Sequence, residues 1–128
     1  MSDESRTEII RLLNDVLTAE LTAVNQYFLH AKMLKNWGVL KLAAYVRTES
    51  IDEMKHADQI IDRILFLDGL PNMQRYFKVR IGETVKEQFI CDLGVENDAI
   101  PRLNTAIEYC RTVSDNGTGI PAALRERV

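Results

Sequence analysis

Cysteine and histidine are scarce in this chain: its 128 residues hold two of each, with three prolines and one tryptophan. Cys91 and Cys110 stand nineteen positions apart and form no metal-ligand pattern. So small a thiol complement excludes a disulfide framework, and the two read as small helical residues kept reduced. No apolar run is long enough to be a membrane span. Positive charge is not in excess either. Sixteen Lys and Arg against nineteen Asp and Glu leave a net charge of -3, which argues against a nucleic-acid partner. The opening run Met1, Ser2, Asp3, Glu4, Ser5 is polar and acidic, unlike a secretion signal.

What is present is helical periodicity. Between about residues 7 and 35 there is no Gly or Pro, and Leu13, Leu17, Val24, Tyr27, Ala31 and Leu34 recur in helical steps. Residues 1–6 read as a frayed start. Asn36, Trp37 and Gly38 break the pattern, with Trp37 free to cover the end of the turn. A second helix over about 39–67 should return antiparallel, with a stripe of Leu42, Val46, Glu49, Glu53, His56, Ile60, Ile64 and Leu67. Asp68 to Asn72 forms a stop, and residues 70–82 show no helical period. A connection of that length can cross a bundle and start a third helix, over about 83–113, parallel to the second. Its stripe is Val85, Phe89, Leu93, Glu96, Ile100, Leu103, Ile107 and Cys110. Pro101 lies inside it and should bend or widen it near Glu96. Residues 114–128 read as an irregular tail with turns at Asn116, Gly117 and Gly119 and a short helix start at Pro121. The whole, 1–128, reads as one all-α domain.

Each long helix places a ligand-type side chain in its apolar line: Glu20 in the first, Glu53 and His56 in the second, Glu96 in the third. A carboxylate in an apolar stripe is costly unless paired or metal-bound. Glu53 and His56 stand three residues apart and so share a face. Three carboxylates converging in a bundle repel one another, and cations remove that cost; carboxylates with imidazole suit iron or manganese. Di-iron bundles use one Glu from each of two helices and a Glu-x-x-His from each of the other two. Both single glutamates and one Glu-x-x-His are found here. Met54, beside Glu53, points away from the metal stripe, as surface or interface methionines do.

Several segments together resemble the bacterioferritins, the haem-containing branch of the ferritin-like proteins. They run from Ala23 to Met33, Lys35 to Gly38, Glu49 to Asp58 and Arg63 to Pro71, within a match spanning about residues 9–113. The resemblance implies a ferritin-like antiparallel helical bundle with a long crossover connection. It implies a cytoplasmic iron-storage subunit of a homo-oligomeric shell of twenty-four, oxidising Fe(II) with oxygen or peroxide at a di-iron site. By the same resemblance Glu20 is a terminal ligand to one iron, Glu53 a bridge, His56 a ligand and Glu96 a terminal ligand to the second iron. Tyr27 lies beside that centre. Met54 binds haem b between two subunits. Glu49 and Asp52 face an inner cavity with a further iron site, where Thr48 replaces a family histidine.

The resemblance stops after about residue 113. The family's fourth helix carries the second Glu-x-x-His; in register its glutamate falls at position 129, so that helix is missing or reduced to a short piece and two of six ligands are absent. A truncation, helices shared between chains, or a mixed shell with a full-length subunit would each account for this. Three stripes without a fourth wall should leave a broad apolar patch open. Residues 115–121 also resemble a nucleotide-binding loop of histidine-kinase-type ATPases, and are read as a turn or junction sequence.

Overall fold

Ser2 opens the first helix, its hydroxyl accepting the Ser5 amide at 3.1 Å while Asp3 and Glu4 sit at the positive end of the dipole. These contacts overturn the frayed start: α1 runs Asp3–Asn36. The computed structural model describes residues 2–113; the tail, its turns and the ATPase-like run lie outside the described residues. Helix α2 spans Leu40–Phe66 and α3 spans Val85–Thr112, each close to its expected range. No helix among the described residues is long and apolar enough to cross a membrane.

Both hinges of α2 end in left-handed residues. At the end of α1, Gly38 takes φ +82°, so that the Gly38 and Val39 amides reach the carbonyls of Lys35 and Leu34. This double closure satisfies carbonyls that a helix end leaves orphaned. Asp68 plays the glycine's part at the end of α2, with φ +61° and the same paired closure by Asp68 and Gly69 onto Leu65 and Ile64.

The chain reverses at the first hinge, so Ser50 reaches the Val24 carbonyl at 2.9 Å and Arg6 reaches that of Leu67. Helix α2 is therefore antiparallel to α1. Helix α3 is antiparallel to α1 as well: Gln26 meets Asp92 and Tyr27 meets Glu96. Hence α2 and α3 are parallel, as the crossover requires, with α1 as the shared spine. They pack on α1 and barely meet each other. The consequence is visible along the α3 stripe. Leu103, Ile107 and Cys110 are buried against α1, whereas Phe89, Leu93 and Ile100 are 56%, 62% and 43% exposed. The open face is the one a fourth helix covers in a four-helix bundle. Through Pro101 the helix is continuous. Cys110 is buried and Cys91 half-buried, and neither forms a disulfide.

The crossover, residues 67–84, is not a loose loop. A row of α1 side chains spaced by four receives its backbone. Asn14 Oδ1 accepts the Asn72 amide at 2.8 Å, Thr22 Oγ1 that of Phe77 at 2.9 Å, Gln26 Oε1 that of Arg80 at 2.9 Å and His30 Nε2 that of Gly82 at 3.0 Å. Extended backbone laid on a helix has no sheet partner, so these side chains supply the hydrogen bonds it needs. The strap in turn fixes where α3 begins, with Thr84 capping the Glu87 amide.

Candidate metal centre

The apolar core divides into two clusters, and the metal-ligand candidates lie where they part. One cluster joins Ile9, Leu13 and Leu17 to Ile60, Ile64, Leu103 and Ile107. The other joins Ala23, Tyr27, Ala31 and Leu34 to Ala43 and Val46. On α2 the interval 47–56 belongs to neither. Glu53 and His56 project from that interval, and Glu20 meets them from the middle of α1.

Glu20 and Glu53 are each only 3% exposed. His56 Nδ1 lies 3.7 Å from Glu20 Oε2 and 3.5 Å from Glu53 Oε2. One donor atom from each of the three falls within 4.8 Å of the others. Those separations are long for direct hydrogen bonds. They match donors gathered about one ion, where ligand atoms about 2.1 Å from a metal stand roughly 3–3.5 Å apart. Two buried carboxylates held this close repel each other across low dielectric, and a divalent ion between them reverses the sign of that interaction. The imidazole nitrogen with two carboxylate oxygens is a borderline-hard donor set, suited to a first-row ion such as Fe(II).

Glu96 stands outside this triad. It comes from α3, lines a small void of about 20 Å³ with Glu20, and accepts a hydrogen bond from Tyr27 Oη at 2.6 Å. Burial, the Glu96 hydrogen bond and the neighbouring charges of Glu96, Asp92 and Glu49 push the Tyr27 phenol well above the usual tyrosine range. Tyr27 therefore stays a proton donor that aims the Glu96 carboxylate. We expect Tyr27→Phe to slow Fe(II) oxidation by about tenfold, since a hydrogen bond to a charged group is worth roughly 1.5–3 kcal/mol. The same variant tests the ionisation. A phenol held protonated in the fold contributes stability that is complete below the unfolded value of about 10 and is lost as pH rises past it. The stability advantage of the parent over Tyr27→Phe should then shrink between pH 9 and 11 in urea titrations; a gap constant with pH would remove the argument.

Between α2 and α3 lies an open cleft of about 690 Å³, walled by Tyr27, Glu49, Asp52, Glu53, His56, Asp92 and Glu96 among others. Glu49 and Asp52 are thus at its wall, not in the triad. Met54 is on the other side of α2, 56% exposed, as its place off the stripe requires.

Sequence reasoning passed over His30 and Asp92. His30 is wholly buried. Because its Nε2 accepts the Gly82 amide, its proton sits on Nδ1 and is donated to Asp92 Oδ1 at 2.9 Å. Gln26 Nε2 donates to the same oxygen. The signal was present as the spacing of Thr18, Thr22, Gln26 and His30, a polar row beside the apolar stripe that resembles a solvated face.

A model of the ferritin-like domain matches residues 10–120. A bacterioferritin of Mycolicibacterium paratuberculosis is 58% identical over 121 residues, covering 94% of this chain and 74% of that protein. One from Streptomyces coelicolor is 57% identical over 108 residues, or 84% of this chain and 65% of that protein. Among solved structures, the bacterioferritin BfrA of Mycobacterium tuberculosis is similar with a TM-score of 0.87 and 54% identity, over 94% of this chain and 74% of that one. With the all-α bundle, the crossover and the glutamate–histidine centre, these likenesses establish that the chain belongs to the bacterioferritin family.

Proposed function

We propose that this chain is a cytoplasmic iron-storing shell subunit that binds Fe(II) at Glu20, Glu53 and His56 and oxidises it to Fe(III). The observation that carries this reading is the buried triad itself, with donor atoms within 4.8 Å of one another between two apolar clusters. Nothing in packing calls for two carboxylates there, and their cost is offset when a cation binds. Fe(II) is the substrate. Each ion gives one electron to oxygen or peroxide, and Glu96, held by Tyr27 at 2.6 Å, is placed to take a second ion beside the first. Glu49, Asp52 and Asp92 line the cleft that leads there and give it a negative field that draws cations in.

Haem b fits the outer face of α2. Met54 and Ile51 are exposed there, three residues apart on one face, offering a thioether beside an apolar surface that the core does not use. Thioether ligation of haem iron is well known, and one copy of this chain supplies one axial ligand. Bound haem would supply electron transfer; Met54 would ligate it and Ile51 would pack on the macrocycle.

A second reading rests on Glu96 standing outside the triad: a haem-binding or structural subunit that holds one ion per chain and joins full-length subunits in a mixed shell. Ultracentrifugation combined with stopped-flow Fe(II) oxidation separates the two. A shell-sized particle of this chain alone that rapidly oxidises two irons per subunit supports the first reading. One bound ion without turnover gives way to the second.

A further inference from the structure

A separate concavity of about 540 Å³ lies at the hinge end of the α1–α2 pair. Its apolar part is Ala31, Leu40, Ala43 and Ala44, and its charged part is Lys32, Lys35 and Arg47. None of these residues belongs to the metal triad or to the haem face. The chain is acidic overall, with a net charge of -3, yet no acidic side chain lines this pocket. Among the described residues, no ion pair engages Lys32, Lys35 or Arg47. Lys32 and Lys35 stand three apart on one helix, where like charges repel. Arg47 is held in place, its guanidinium 6.0 Å from the Phe28 ring centroid. The first turn of α2, which begins at Leu40, has no acidic residue and no side-chain cap, so its positive end adds to the same corner.

Uncompensated cations around an apolar recess call for an anion with an apolar body. Three positive charges match a dianionic phosphate better than a single carboxylate, and the guanidinium fork suits phosphate oxygens. The volume lies in the range of small-molecule sites, well beyond what a bare ion fills. We infer that this pocket binds a small organic phosphate, the phosphoryl group on Lys32, Lys35 and Arg47 and the apolar group on Leu40, Ala43 and Ala44.

Phenyl phosphate is a suitable probe, titrated calorimetrically into the native particle at low ionic strength, with inorganic phosphate and benzoate in parallel. Saturable binding of phenyl phosphate at least about tenfold tighter than either comparator is expected, because each comparator lacks half of the match. The affinity should fall as salt is raised. Lys35→Glu should weaken binding by about tenfold or more, and the milder Lys35→Ala should weaken it less, while Lys78→Glu, on the crossover, should leave it unchanged. Fe(II) oxidation by Lys35→Glu should stay at the parent level, which separates this site from the metal centre. Absent or non-saturable binding, inorganic phosphate binding as tightly as phenyl phosphate, or a Lys35→Glu particle that binds like the parent each overturns the inference.

Discussion

Glu53→Ala should lower the initial rate of Fe(II) oxidation by at least about 10²-fold, since changes one shell outside the ligands already cost 10–100-fold. Glu53 is the residue that places a carboxylate 3.5 Å from His56 and within 4.8 Å reach of Glu20. Without it the remaining donors are Glu20 and His56, too few to hold a hard divalent ion against water. Stability supplies a second readout with a different sign. In the absence of metal the variant loses a crowded carboxylate, so its melting temperature should be equal to or above that of the parent. With a redox-inert divalent ion added at about 100 times its dissociation constant, the parent should gain about 2.7 kcal/mol and the variant far less. Glu53→Gln keeps the volume while removing the charge, and should resemble Ala in rate. Oxidation at the parent rate in either variant would mean that Glu53 is not a ligand.

The triad and the three helices were legible because period 3.6 is a strong signal and a glutamate in an apolar line breaks it conspicuously. Glu20, Glu53 and His56 were each found as an interruption, and their meeting followed from the antiparallel hinge at Gly38. Glu96 was found by the same rule, but its distance from the triad was not legible: α3 packs on α1 alone, and periodicity says which face is apolar, not how closely two parallel helices approach. For the same reason the α3 stripe gave no hint that Leu103 would be buried and Leu93 left open. Ser2 as a cap was missed because a polar, acidic start resembles a frayed one until the Ser5 amide is seen to need an acceptor. The strap over residues 67–84 was hidden most thoroughly. It has no period of its own, and its partners Asn14, Thr22, Gln26 and His30 look like a wet face when α1 is viewed alone.

That strap makes Gly82 the most sensitive backbone position. A Cβ on Gly82 would lie 2.3 Å from the Gln88 nitrogen and 2.6 Å from the Glu87 carbonyl carbon. Both are main-chain atoms in the first turn of α3, so no side-chain rotation relieves the clash, and either the strap or the helix must move. Overpacking of this kind costs about 1–3 kcal/mol. Movement also breaks the hydrogen bond from the Gly82 amide to His30 Nε2 at 3.0 Å and that from Gln88 Nε2 to the Gly82 carbonyl. Leaving such buried groups without partners costs about 1–3 kcal/mol more. Gly82→Ala should therefore destabilise by roughly 3–5 kcal/mol in total, a fall in melting temperature on the order of 15–30 °C for a domain of this size. The measurement is thermal unfolding at matched subunit concentration, because assembly makes the midpoint concentration-dependent. Gly94→Ala is the internal control. It lies inside α3 with nothing within 4 Å of a built Cβ, so the same substitution should be neutral or stabilising by up to about 1 kcal/mol through helix propensity. Opposite signs for the two alanines would tie the cost to the close approach of strap and helix; equal effects would show that glycine flexibility, not contact, decides the matter. The loss at Gly82 should also reach the metal centre, because His30 holds Asp92 on the turn of α3 that precedes Glu96.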